Sequence, residues 1–302
     1  MDPIDPCPLL DGLLRETLAD GALAGRRVAL AGELDGPRAT LAAVLADAGA
    51  ELVEERPELA IGPFAREQYG LRGLVEPGTV MGAVAHALDA PVVAIGCSPV
   101  ARLVFSAAAG PAVVQALLRL TNLSLAGRCV AVLGYGDVGA SVARSVRALG
   151  GHVHVVEEEP LCALAAALDG HRVSEELGPD AEIVIACERA AAIAELPAGA
   201  LVASALPGRL PPVLGVVARD GIVHAAGRDV LGGGSALLSP AGDGLAPEAA
   251  DALLTLQGMA LHRLASGELE TGVHRLPHEL EESVAQAWLE RRTAGARTSE
   301  RL

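Results

Sequence analysis

The chain has 302 residues, 51% of them hydrophobic, and a formal net charge of −15 from 38 acidic and 23 basic side chains. Every basic residue is arginine, and the absence of lysine excludes a Schiff-base lysine, a lysine general base and a phosphate loop closing on Lys-Ser/Thr. The acidic balance and the 2% aromatic content argue against a basic nucleic-acid footprint or a base-stacking platform.

The first elements in chain order are a short strand, Arg27 to Ala31, a helix over Pro37 to Gly49 with Leu41, Val44, Leu45 and Ala48 on one face, and a second strand at Glu51-Leu52-Val53. Ala60-Ile61 is a weaker strand, Val80 to Leu88 a helix, and Pro91 to Ile95 a buried strand. Pro111 to Leu123 reads as a helix with proline in its first turn, where the missing N–H costs nothing. The apolar region Ala90 to Leu118 is broken by Arg102 and Gly110-Pro111, and a membrane span needs about 20 uninterrupted apolar residues, so a soluble chain with no membrane partner is expected.

The second half is sharper. Arg128 to Leu133 is a strand, Gly134 to Gly139 a glycine turn, Ala140 to Leu149 a helix and His152 to Val156 the next strand. Leu161 to Leu168 is helical, Glu182 to Ala186 and Ala200 to Ala203 are strands, and helices follow at Leu245 to Leu264 and Leu280 to Arg292. Thr293 to Leu302 is polar and expected to fray. Repeated βα alternation implies doubly wound parallel sheets. The fold class is therefore α/β and two-lobed: a Rossmann-type lobe over 106–235 and a smaller α/β substrate lobe over 1–105, completed by about 236–285, with 286–302 a C-terminal helix and tail. LAGRRVALAG at 23–32 and LAGRCVAVLG at 125–134 are either an internal repeat or two similar α/β starts.

Gly134-Tyr135-Gly136-Asp137-Val138-Gly139 is a GxGxxG element between a strand and a helix. The first glycine permits the tight turn, the second lets backbone approach a pyrophosphate, and the third lets helix pack on strand. Free N–H groups at the helix start favour the anion. An acid should end the next strand, about 20 residues on, to accept the ribose hydroxyls, and Glu157 stands there. A carboxylate at that point disfavours a 2′-phosphate, so the cofactor is expected to be NAD rather than NADP.

Five scattered cysteines, with no CxxC pair, and an N-terminus MDPIDPCPLL without a basic start or apolar stretch point to a cytoplasmic protein. His152 and His154 face one side of a strand without a third ligand in view, so no metal is expected.

The segment Leu125 to Gly139 resembles the cofactor segment of S-adenosylhomocysteine hydrolases, in which the Gly-Tyr-Gly-Asp-Val-Gly string is characteristic. Glu157, Pro160, Ala163 and Ala166 are similar to its Glu-x-x-Pro-x-x-Ala-x-x-Ala continuation; Leu71 to Glu76 and Thr271 to Glu282 resemble two further elements. The resemblance implies tightly bound NAD that transiently oxidises the 3′-hydroxyl of an adenosine-type substrate, so that C4′–H becomes acidic and the 5′ substituent can leave. It implies cofactor contacts at Gly134 to Gly139, Glu157 and Ser204, substrate contacts at Glu76, Thr79, Cys97 and Ser98, and a homodimer or homotetramer.

The departures fall on the chemistry. The family's Thr-Lys-Ser-Lys-Phe-Asp-Asn segment corresponds to about Val100 to Ser106, where no lysine stands and Arg102, near its place, could bind substrate or stabilise an oxyanion but not serve as a base. The Asn-Ile-Gly-His stretch corresponds to Ser204 to Pro207, and Gly-His-Pro-Ser to Gly232 to Ser235. Glu33 and Asp35 follow the first strand, a usual ligand position in an open sheet, and with Arg102 they are the catalytic candidates; a solvated turn with Asp35 capping the helix is the competing reading. Together these residues imply a nucleoside-processing enzyme with a changed lyase or hydrolase reaction. The alternatives are an unaltered S-adenosylhomocysteine hydrolase, a non-catalytic NAD-binding homologue, and a D-2-hydroxyacid dehydrogenase relative using Arg209, Glu188 and His224.

Overall fold

The structure, a computed structural model, describes residues 7–32, 34, 36–62, 71–76, 89–213, 215–219, 221–238 and 244–299. A π-helical turn Leu10–Leu14 leads into α1 (Arg15–Thr17), β1 (Arg27–Leu30), α2 (Gly36–Asp47), β2 (Glu51–Leu52), β3 (Leu59–Ile61), β4 (Gly73–Glu76), β5 (Pro91–Ala94) and α3 (Pro99–Thr121). Then come β6 (Cys129–Leu133), α4 (Asp137–Ala148), β7 (His152–Val156), α5 (Pro160–Leu168), β8 (Arg172–Ser174), β9 (Ile183–Ala186) and β10 (Leu201–Ser204). The last elements are β11 (Val216–Arg219), β12 (Ile222–Ala225), β13 (Arg228–Leu231), α6 (Pro247–Ala265), β14 (Gly272–His274) and α7 (His278–Ser299).

The chain divides into two α/β units. One comprises Met1–Phe105, Pro240–Gly242 and Ala246–Leu302; the other comprises Ser106–Ser239 and Asp243–Leu245.

The first unit is built on a parallel sheet of order β14-β5-β4-β3-β1-β2. Its inner strands β3, β4 and β5 are short, largely buried apolar runs, as a sheet covered by helices requires. Helix α6 is buried almost throughout. Its Asp251 carboxylate accepts the Leu9 and Leu10 N–H groups at 2.9 and 3.0 Å, satisfying donors at the start of the N-terminal helical stretch.

The second unit carries an eight-stranded sheet, β11-β12-β13-β10-β9-β6-β7-β8. From β8 to β13 the strands run parallel in the Rossmann order, which reverses between β6 and β9. β12 pairs antiparallel with β11 and β13, an extension at one edge. The expected GxGxxG turn therefore lies at the switch point, where ligands of open α/β sheets bind beyond the strand ends.

Two helices differ from expectation. Helix α3 does not start at Pro111 but at Pro99 and runs through it. The Gly110 N–H donates to Ser141 Oγ of α4 at 2.9 Å, and a Cβ on Gly110 would lie 2.2 Å from the Ser141 carbonyl oxygen, so tertiary contact with α4 holds the helix together where proline interrupts its ladder. By length and composition α3 could also cross a bilayer; 33% of its most apolar window is buried, and Ala109, Val113, Val114 and Leu117 are among the buried residues of the helix. At the C-terminus, α7 continues to Ser299 instead of fraying from Thr293. The helix expected over Val80 to Leu88 lies outside the described residues.

Candidate functional site

Strand β6 ends in buried apolar residues and turns at Gly134, whose φ is +90° and whose N–H donates to the Val156 carbonyl at 2.9 Å. A Cβ there would meet the Arg189 backbone nitrogen at 2.7 Å, so only glycine fits. Gly136 caps α4 with extended backbone and no side-chain acceptor. A Cβ on Gly139 would lie 2.1 Å from the Gly134 carbonyl oxygen; this third glycine lets α4 approach the strand. Val138, Val142, Ala143 and Val146 form the buried face of α4.

The N–H groups at the start of α4 are already engaged by an anion. Glu188, just past the end of β9, reaches across with Oε1 accepting the Val138 N–H at 2.8 Å and the Gly139 N–H at 3.2 Å, while Oε2 accepts the Gly139 N–H at 3.2 Å. Its carboxyl carbon would stand 2.8 Å from a Cβ on Gly136. The glycines thus form a cradle that fits an anion at backbone distance, the requirement of a pyrophosphate. Arg209 Nη1 donates to the Glu188 carbonyl at 3.1 Å and fixes the backbone behind it.

Glu157 follows β7 as expected. Its Oε2 accepts the Tyr135 N–H at 2.7 Å and its Oε1 accepts the Glu158 and Glu159 N–H groups at 2.8 and 2.9 Å. The carboxylate is held at the lip of the turn, half-buried, where ribose hydroxyls are bound in such sites. Glu158 pairs with Arg189 at 2.6 Å, and Glu159 caps α5 by accepting the Cys162 N–H at 2.7 Å. Burial and the neighbouring Glu159 push the Cys162 thiol up to about 11, and burial pushes Cys187 well above its ordinary value, so neither is a thiolate at neutral pH.

The Tyr135 ring is buried against His171 at a centroid separation of 5.6 Å, and its hydroxyl donates to Asp169 Oδ2 at 2.6 Å. Tyr135 thus anchors the turn through its side chain while Glu157 holds its backbone N–H. Asp137 begins α4, a favourable place for an acid beside the helix dipole.

Strand order, glycine cradle and terminal acid define the second unit as a Rossmann dinucleotide-binding domain. Residues 108–198 match the family described as S-adenosyl-L-homocysteine hydrolase, NAD binding domain. Over those residues the second unit is similar to that family's NAD-binding domain, and NAD is the cofactor. Among solved structures, the chain is similar to the transhydrogenase from Sinorhizobium meliloti, at 16% identity over 84% of this chain and 88% of that one, with a TM-score of 0.47. It is also similar to a dipicolinate synthase component from Bacillus halodurans (18% identity, 77% and 96% covered, TM-score 0.46). An L-alanine dehydrogenase gives 14% identity, 91% and 94% covered, and a TM-score of 0.48.

The remaining expected residues fall in three groups. Ser204 ends β10, fully buried, and its hydroxyl donates to the Leu206 carbonyl at 2.7 Å, which leaves no free hydroxyl proton for a cofactor. In the first unit, Glu76 ends β4, while Cys97 and Ser98 follow β5; because the strands are parallel, all three lie at one edge of the sheet. Ser98 Oγ accepts the Ala101 N–H at 3.1 Å and so caps α3, a structural duty that competes with substrate contact. Arg102 lies on the exposed face of α3. Glu33, Asp35 and Thr79 lie outside the described residues.

Sequence reasoning considered Glu188 only as an acid of a hydroxyacid dehydrogenase. The signal for its true position is an acid just after the apolar strand Ile183–Ala186, across the switch point from the glycine turn. Gly232 to Ser235 is a hydrogen-bonded turn after β13, with Gly232 and Gly233 at φ +59° and the Gly232 N–H bonded to the Gly221 carbonyl.

Proposed function

We propose that the protein is an NAD-dependent enzyme that processes an adenosine-type nucleoside by transient oxidation at C3′, driving elimination, addition or epimerisation at C4′ or C5′. The observation that supports this reading is the intact cofactor side: a glycine cradle and Glu157 within a segment of the S-adenosyl-L-homocysteine hydrolase type. Bound NAD would supply reversible hydride removal from the substrate's 3′ carbon. Gly134, Gly136 and Gly139 would admit its pyrophosphate to the start of α4, and Glu157 would accept both ribose hydroxyls.

The changed substrate side favours a reaction other than homocysteine release. With no lysine in the chain, proton transfer falls to carboxylates, and Glu33 and Asp35 are the proposed candidates, with Arg102 available to stabilise developing negative charge. Glu76, Thr79, Cys97 and Ser98 are proposed substrate contacts at the strand-end edge of the first unit. The acidic surface suits a small-molecule enzyme of the cytoplasm, without nucleic-acid or membrane partners and self-associated as a homodimer or homotetramer.

The test is incubation of the NAD-loaded protein with adenosine-type nucleosides in deuterated water, followed by mass spectrometry. Deuterium at C4′ of at least one nucleoside is expected; no exchange with any nucleoside contradicts the proposal.

A further inference from the structure

The start of α4 presents a contradiction that neither the cofactor nor the nucleoside chemistry resolves. The N–H groups of Val138 and Gly139 are the donors a pyrophosphate needs, and the Glu188 carboxylate holds both of them. A carboxylate and a pyrophosphate are both anions drawn to the same donors and the same positive end of the helix dipole. They cannot share them. The carboxyl carbon lies within 2.8 Å of where a Cβ of Gly136 would stand, so Glu188 fills the space that the second glycine opens.

We propose that Glu188 is a built-in competitor for the dinucleotide: its carboxylate closes the cradle in the cofactor-free protein and must swing out for NAD to enter. The proposal rests on the cofactor assignment and is independent of which nucleoside is processed. The geometry supports a side-chain movement without backbone rearrangement. Arg209 Nη1 holds the Glu188 carbonyl, the Arg189 N–H bonds the Leu133 carbonyl at 3.2 Å, and the Cys187 N–H bonds the same carbonyl at 3.0 Å. The backbone on either side is thus fixed, and the carboxylate swings by rotation about the side-chain bonds.

Two consequences follow. The carboxylate preforms the cradle, satisfying donors that α4 would otherwise present without a side-chain cap. It also lowers the apparent affinity for NAD by the fraction of molecules in which it is withdrawn, a cost that any displacing ligand must meet. Once displaced, the carboxylate remains near the pyrophosphate, and like charges add to that cost. Glu188 therefore sets how readily the enzyme gives up its cofactor.

The test measures NAD binding by calorimetry and melting of the cofactor-free protein, for the full chain and for Glu188→Ala and Glu188→Gln, after removal of any copurified dinucleotide. In Glu188→Ala, the NAD dissociation constant is expected to fall by about tenfold or more, because charge-assisted bonds to the cradle no longer compete. At the same time the melting point of the cofactor-free protein is expected to fall by about 3 °C, as an N-terminal cap is lost. Glu188→Gln, which keeps the shape but not the charge, should shift both in the same directions by less. A residue with a purely structural role would lower stability and affinity together, so the opposite movement of the two is diagnostic. NAD affinity unchanged or weakened in both variants, while the unaltered chain binds NAD, overturns the competitor and leaves the cofactor assignment standing. Failure of all three proteins to bind NAD overturns the competitor and the cofactor assignment together, because Glu188→Ala opens the cradle.

Discussion

The first strand, turn and helix of the two units can be compared residue by residue. Leu23 and Leu125 are both buried, Gly25 and Gly127 both have positive φ, and their N–H groups bond the carbonyls of Gly49 and Gly150 at 2.8 and 2.9 Å. The Arg26 and Arg128 carbonyls accept the N–H groups of Glu51 and His152, each at 2.8 Å. After the strand, Gly32 and Gly134 turn with φ of +91° and +90°. There the likeness ends. The third helical residue, Gly139 in α4, is matched in α2 by the buried Arg38. One frame, used twice, has been made into an anion cradle in the second unit, whereas in the first the guanidinium of the buried Arg38 lies 3.6 Å from where a Cβ of Gly32 would stand. Repetition of the backbone frame therefore says nothing about which copy binds a dinucleotide; the residues lining the turn decide it.

The comparison can be broken most severely at Gly139. Gly139→Ala places a methyl group against the Gly134 carbonyl oxygen, a backbone atom that cannot step aside, so α4 must leave the strand. A loss of about 3 kcal/mol in urea unfolding, with NAD binding below detection in calorimetry, is expected. Near-normal stability and binding would show that the two turns are more alike than their packing suggests.

A smaller effect is expected at Tyr135. Tyr135→Phe removes the hydroxyl that donates to Asp169; burial and the carboxylate hold the phenol well above its ordinary value, so it stays a neutral donor at any physiological pH. Stability should fall by about 1 kcal/mol, read as a drop of about 2–4 °C in melting point, with NAD affinity changed less than about twofold. A large loss of affinity would mean that the tyrosine contacts the cofactor rather than anchoring the turn.

The smallest expected effect is on pH dependence. Burial holds His171 below its ordinary value of 6.5, with Arg147 adding in the same direction. The unfolded chain then takes up a proton as pH falls below about 6.5 while the folded one resists. Stability is full above that pH and declines as the pH drops toward the lowered folded value. His171→Phe should flatten the slope of melting point against pH between 7 and 5; an unchanged slope would assign it to other groups, such as His154, which burial also holds down.

The contrast between the units also explains what the sequence made legible. The cofactor side was readable because its parts are local: glycines at fixed spacing, a buried strand before them and an acid after the next strand. The Rossmann strand order and the placement of Glu157 followed from that pattern and the structure has them. Glu188 was not readable as a ligand of the cradle, because its contact with Val138 and Gly139 joins two strand ends that only the sheet order brings together. Helix α3 was misplaced for the same reason: Gly110-Pro111 looks like a break, and only the contact with Ser141 shows how the helix continues. Ser98 and Ser204 had hydroxyls that looked available, but backbone groups claim both.

The most direct measurement of the central claim, that the second unit's glycine turn and Glu157 hold NAD, is calorimetric titration of NAD and NADP into the full chain and into Glu157→Ala. The account predicts that the unaltered chain binds NAD in preference to NADP, and that Glu157→Ala weakens NAD by about tenfold or more while the discrimination disappears. Equal binding of the two cofactors by the unaltered chain, or NAD binding untouched by Glu157→Ala, would contradict it.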